Sequence, residues 1–231
     1  MSLFLPVNLI CPGCGELIIM DAVGSVNADR RPDFRDAILS DDFQDMTCNA
    51  CEKSFRLQPN FNYLDAGRGQ WIAGMPAAQM PDYLEVEDEV GTLFEQSYGA
   101  KAPAAARVVG DDLDVRLTFG WPAIREKLLA REHDLDDVVL EMLKLDLLRR
   151  MPSAPLAPGK ELRLIDVGDD RLNFVWIDTV SEDGDDEVIV DRQLYDDIAN
   201  APEAWAPIRA QLTNGAFVDM QKLYMGEGRA A

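Results

Sequence analysis

Cys11-Pro12-Gly13-Cys14 and Cys48-Asn49-Ala50-Cys51 hold the four cysteines of this 231-residue chain. The two pairs share one spacing, Cys-x-x-Cys, and are separated by 33 residues. A structural zinc ion takes four ligands in a tetrahedron, and four thiolates fill it completely. Each Cys-x-x-Cys turn offers two sulfurs to one side of the ion, so two turns close the shell. Cys11, Cys14, Cys48 and Cys51 are therefore expected to ligate one structural Zn2+ per chain. Gly15 follows the first pair and can take positive φ, while Pro12 fixes φ within the turn. The second turn has Asn49 and Glu52 at those places, so it is expected to be the looser half.

Two other chemistries fit the same residues. Cys-Pro-Gly-Cys resembles a glutaredoxin-type motif, which makes Cys11 and Cys14 candidates for a dithiol oxidoreductase. A redox pair sits at a helix N-terminus, where the dipole lowers the thiol pKa. Here the apolar run Leu17-Ile18-Ile19-Met20 follows, which reads as a strand. Disulfides or unliganded thiols are the remaining alternative. An open catalytic zinc is disfavoured, because an all-cysteine shell leaves no position for water.

From the cysteines outward, 4–10 and 17–21 read as strands on either side of the first turn. Pro32 opens a short helix over 32–39, since proline is favoured in a first helical turn. Lys53 to Leu57 alternates as a half-buried strand, as do Phe61 and Tyr63. Asp65 to Gly69 reads as a hairpin turn, and Trp71 opens the return strand. The N-terminal unit is thus zinc-ribbon-like: antiparallel β with a helical insertion.

These residues resemble the CpXC family of bacterial and archaeal proteins. The likeness is carried by Cys11 to Gly15, by Asn27 and Pro32 before the short helix, by Cys48 and Cys51, by Tyr63 with Asp65, and by Trp71. It spans roughly residues 8–150, and Asn49 departs from the usual proline. The resemblance implies the zinc site and this architecture, and it implies no reaction.

Prolines 76, 81 and 103 with Gly99 make 76–105 resemble a boundary, although 86–97 has helical spacing. Residues 107–109 and 113–119 read as a hairpin. A helix begins near Pro122. Another runs from Asp134, as N-cap, to about 150, apolar over much of its girth and so fit for a core or a dimer interface. His133, the one histidine, reads as part of the capping turn between these helices. Residues 151–159 carry three prolines and read as a linker. Beyond it, 160–231 reads as a small acidic α+β domain: a hairpin over 162–176, a strand at 188–190, helices after Asp191 and over 203–212, and a strand at 217–220. The fold class is α+β, with a domain over 1–150 and a second over 160–231.

With 42 acidic and 22 basic residues the net charge is −20. Nucleic-acid binding needs lysine and arginine to displace counterions, so no nucleic acid is expected. No run is long enough to span a membrane, and the apolar start lacks the basic flank of a secretion signal. Reduced thiols holding zinc suit the cytoplasm. There is no Gly-x-Gly-x-x-Gly, P-loop or Gly-x-Ser-x-Gly motif, and one histidine leaves little scope for a hydrolase triad. The sequence therefore points to a zinc-stabilised, non-enzymatic protein that binds another protein, a basic one by charge. The alternative is the oxidoreductase using Cys11 and Cys14.

Overall fold

The computed structural model describes residues 2–151, 157 and 159–225. Most of the proline-rich stretch read as a linker lies outside the described residues. The fold is α+β, and its larger sheet is mixed where an antiparallel one was expected.

β1 (Leu3–Ile10) and β2 (Leu17–Asn27) form an antiparallel hairpin whose tip is the first cysteine turn. α1 (Pro32–Leu39) starts on Pro32. β3 (Asp45–Thr47) and β4 (Ser54–Arg56) make a second, shorter hairpin that carries Cys48 and Cys51. β5 (Phe61–Asp65) and β6 (Gln70–Met75) pair across a tight turn. Gly69 takes φ 65° in that turn, and Asp65 accepts the Arg68 N–H. α2 (Tyr83–Ser97) and α3 (Ala104–Gly110) follow, then β7 (Asp114–Phe119). The sheet order is β1-β2-β5-β6-β7, with β2–β5 and β6–β7 parallel.

Residues 107–109 are therefore helical, and β7 has no hairpin partner beside it in sequence. Pro103 caps the N-terminus of α3 and three alanines begin it; alanine is the best helix former. β7 pairs instead with β6, some forty residues earlier.

Alternation along the sheet separates two cores. Phe61, Tyr63 and Ile72 face α1 and α4 (Trp121–Glu132), where they meet Ile38, Phe43, Trp121, Ile124 and Leu128. Trp71, Ala73, Leu117 and Phe119 face α2, together with Tyr83, Val90 and Phe217. Trp121 is fully buried against Phe61 and Phe43, and its indole N–H donates to Leu57 O at 2.7 Å.

α5 (Asp137–Arg150) is capped by Asp136, whose carboxylate accepts the Val138 N–H, rather than by Asp134. Asp134 takes φ 53° in the turn, and His133 is the C-cap of α4. β8 (Lys160–Val167), β9 (Arg171–Asp178) and β10 (Gly184–Asp191) form an antiparallel meander. α6 (Arg192–Ala199), capped by Asp191, and α7 (Pro202–Leu212) cover it. A third core joins α5 to this meander and both helices. The chain then runs back along the molecule, where Leu117 N–H donates to Ala216 O. Residues 217–220 are buried there but form no strand.

A charged seam lies between α4, α5, β8 and this returning segment. Lys144, wholly buried, contacts Glu126 and Glu141 at 2.8 and 2.9 Å. Arg163 pairs with Glu126, Glu161 and Asp219. Lys127 pairs with Asp137 and Glu141. Buried charges persist only when paired and hydrogen-bonded, and the seam satisfies backbone groups too. Glu126 accepts the Leu164 N–H, Glu141 accepts the Met220 N–H, and Lys127 donates to Val218 O.

Candidate metal centre

The four sulfurs lie within 4.8 Å of one another. Cys11 Sγ is 3.7 Å from Cys51 Sγ, and Cys14 Sγ is 3.8 Å from Cys48 Sγ. A tetrahedron with zinc–sulfur bonds of about 2.3 Å has edges of about 3.8 Å. A disulfide needs about 2.05 Å, and all four cysteines are free. The donor set and spacing thus fit a metal ion. Cys11 and Cys48 are buried, whereas Cys14 and Cys51 are exposed.

Each hairpin builds its turn from the same two backbone hydrogen bonds. Cys11 N–H donates to Glu16 O, and Gly15 N–H donates to Cys11 O. Cys48 N–H donates to Lys53 O, and Glu52 N–H donates to Cys48 O. Glu52 adopts φ 59°, the counterpart of φ 76° at Gly15. The second turn therefore has the same hydrogen bonding as the first, and the cost of lacking glycine is local backbone strain. A Cβ on Gly13 would lie 3.2 Å from Cys51 Sγ, so a small residue is needed where the two turns meet.

The sulfurs are electrostatically interdependent. The Cys14 N–H draws the Cys11 thiol down to about 6 against desolvation, helped by the Gly13 N–H. The Glu16 N–H favours the Cys14 thiolate, but desolvation and the neighbouring Cys51, Cys11 and Cys48 push that thiol up to about 12. Four thiolates this close repel one another, and a divalent cation at their centre removes that opposition.

Two other motif segments meet at the opposite end of β2 from the cysteine turn. Asp29, between Asn27 and Pro32, accepts the Ala66 and Gly67 N–H groups at 3.0 Å. Asn27 accepts the Arg30 N–H, and buried Asp65 accepts from Tyr63 OH and Arg35. These residues hold the loop after β2 against the β5–β6 turn. On the other side, Arg56 at the end of β4 lies over the Trp121 ring at 4.5 Å and contacts Glu182 of the β9–β10 loop at 3.6 Å. Glu182 also accepts from Gln58. Sequence reasoning missed this link, because nothing local relates Arg56 to a glutamate so far along the chain.

No other cluster of metal-ligating groups occurs among the described residues, and His133 belongs to none. A cavity of about 280 Å³ between β7, α4 and α5 is lined by Arg116, Lys127, Arg131 and Asp137. Each of its cations is already paired: Arg116 with Asp137, Lys127 with Asp137 and Glu141, Arg131 with Asp114. No helix among the described residues is long and apolar enough to cross a membrane.

A family model described as CpXC protein matches residues 9–144. No curated protein and no solved structure matches the chain.

Proposed function

The chain belongs to the CpXC family, and on that premise we propose that it is a zinc-stabilised, non-enzymatic protein that works by binding another protein. The observation that carries this reading is the convergence of Cys11, Cys14, Cys48 and Cys51 at tetrahedral spacing. Four thiolates around zinc leave no coordination site for water or substrate, so the ion organises the two hairpins instead of reacting. The paired cations of the 280 Å³ cavity support the same view, since none is free to take a substrate anion. A net charge of −20 favours a basic protein partner and disfavours nucleic acid. Reduced thiols suit the cytoplasm.

The second reading is a dithiol oxidoreductase using Cys11 and Cys14. The lowered thiol of Cys11 favours it. Against it, Cys14 leads through a turn into β2 and caps no helix, and a second cysteine pair has no role in such chemistry. Alkylation of the native protein separates the two readings. Zinc ligation predicts four slow thiols that become fast together when a chelator is added. A redox pair predicts one thiol reacting fast without chelator.

A further inference from the structure

We infer that the outer edge of β1 is a self-association site, pairing antiparallel with β1 of a second copy of this chain about a twofold axis at Asn8. This goes beyond the protein-binding reading and does not depend on which other partner the molecule has.

β1 is the last strand of its sheet, and its outer edge has no strand partner among the described residues. The direction of its backbone groups follows from the register. Cys11 N–H donates to Glu16 O at 2.8 Å, so 11 and 16 are a hydrogen-bonded pair. Such pairs alternate along an antiparallel ladder. Leu9, Val7 and Leu5 therefore turn their N–H and C=O groups toward β2, and Ile10, Asn8, Pro6 and Phe4 turn theirs outward.

The side chains on that outward set share a face with their β2 partners: Ile10 with Leu17, Asn8 with Ile19, Pro6 with Asp21, and Phe4 with Val23. At the base this face is partly covered, since Val23 is in the core and Phe4, still half exposed, meets Phe34 of α1 edge-on. Toward the tip the cover ends. Ile10, Leu17 and Ile19 are 62, 54 and 71 % exposed. An uncovered apolar sheet face beside an open strand edge is a template for another strand.

Charge selects the occupant. A molecule of net charge −20 repels its own copies over most of its surface. Residues 3–10, all of β1, contain no charged side chain, and beyond the cysteine turn the hairpin adds only Glu16 and Asp21. Two copies therefore approach here against the least repulsion, while a basic partner finds little to hold. An isologous contact also requires a self-complementary surface, which an apolar face with an open antiparallel edge supplies.

Pro6 and the bulge between Leu3 and Phe4 fix the register. Proline lacks the N–H that an edge must offer, and bulges interrupt pairing. A twofold axis at Asn8 joins each Asn8 N–H to the Asn8 C=O of the other copy. It also sets each Ile10 N–H against a Pro6 C=O. Every outward N–H from Pro6 to Ile10 is then used, and Ile10 of one copy lies beside Pro6 of the other.

The test is sedimentation velocity on the zinc-loaded full chain across micromolar concentrations, at low and high sodium chloride. A reversible dimer is expected that tightens with salt, because screening removes net repulsion. Asn8→Pro deletes the central N–H groups and should weaken the dimer about tenfold or more. Asn8→Ala keeps them and should dimerise as the wild type does. Ile19→Lys, at a site too exposed to threaten the fold, should also weaken the dimer. Val180→Lys adds the same charge on the 86 % exposed Val180 and should not. A wild-type chain that stays monomeric at every concentration and salt would overturn the inference. So would Asn8→Pro and Ile19→Lys variants that dimerise like the wild type.

Discussion

Glu52 occupies a left-handed backbone position that glycine fills in the partner turn. A side chain there costs about 1 kcal/mol relative to glycine. Glu52→Gly should therefore raise the midpoint of thermal unfolding of the ribbon slightly and leave metal binding intact. Gly15→Ala should lower it by a similar amount. Competition with a chromogenic chelator, alongside the melting curve, checks both. Cys48→Ala acts on a different scale, because bound metal is folding free energy; it should cost several kcal/mol locally. At this scale the sequence was informative. Four cysteines at one repeated spacing determine which side chains converge, whatever the rest of the chain does. What it could not convey was that Glu52 would adopt the glycine conformation, since that follows from the hydrogen bonds that close the second cysteine turn.

Among the elements, α4 is the bridge between the ribbon and the rest. Trp121 at its start stacks on Phe61 at 5.4 Å, lies under Arg56, and bonds Leu57 O. Trp121→Ala should cost about 3–5 kcal/mol and expose Arg56 to solvent. Denaturant unfolding followed by circular dichroism measures the first effect. Helices with local signals were readable from sequence: α1 from Pro32 and α6 from Asp191. Elements defined by distant partners were not. β7 looked like half of a hairpin because its true neighbour, β6, precedes it by two helices. Residues 217–220 looked like a strand because Phe217, Val218 and Met220 are apolar; they are indeed buried, but in no sheet. Their backbone groups are satisfied by side chains instead: Glu87 accepts the Phe217 N–H, and Glu141 accepts the Met220 N–H. The clue was present in Glu141 and Lys144, charged residues set among the apolar run from Val138 to Leu145 of α5.

For the whole molecule, the charged seam makes stability depend on pH. Burial pushes the Glu141 carboxyl up to about 6 from an ordinary 4.5. Its protonated form is thus favoured by folding. That contribution is complete below about 4.5 and disappears as pH rises through about 6. Asp219 behaves oppositely. Burial opposes its charge, but Arg163 and Lys144 hold it at about 2. Its contribution is present above the ordinary aspartate range and is lost as pH falls toward about 2. Asp137 is likewise held low by Lys127 and Arg116 despite its burial. Urea midpoints should therefore fall between pH 5 and pH 7. Glu141→Gln should flatten that slope, whatever its effect on absolute stability.

Metal removal tests how far the influence of the site extends. The two cysteine hairpins carry its four thiols, whereas α5 and the β8–β10 meander share a core of their own. Hydrogen exchange after chelation should accelerate in β1 to β4 and leave α5, β8 and β9 protected. Uniform loss of protection would mean that the molecule unfolds as one unit.

The most direct test of the account is the metal content of the purified native chain by plasma mass spectrometry, with thiols counted in the same sample. One zinc per chain and four thiols shielded until chelator is added is the predicted result. A metal-free chain with a reducible Cys11–Cys14 bond would contradict it.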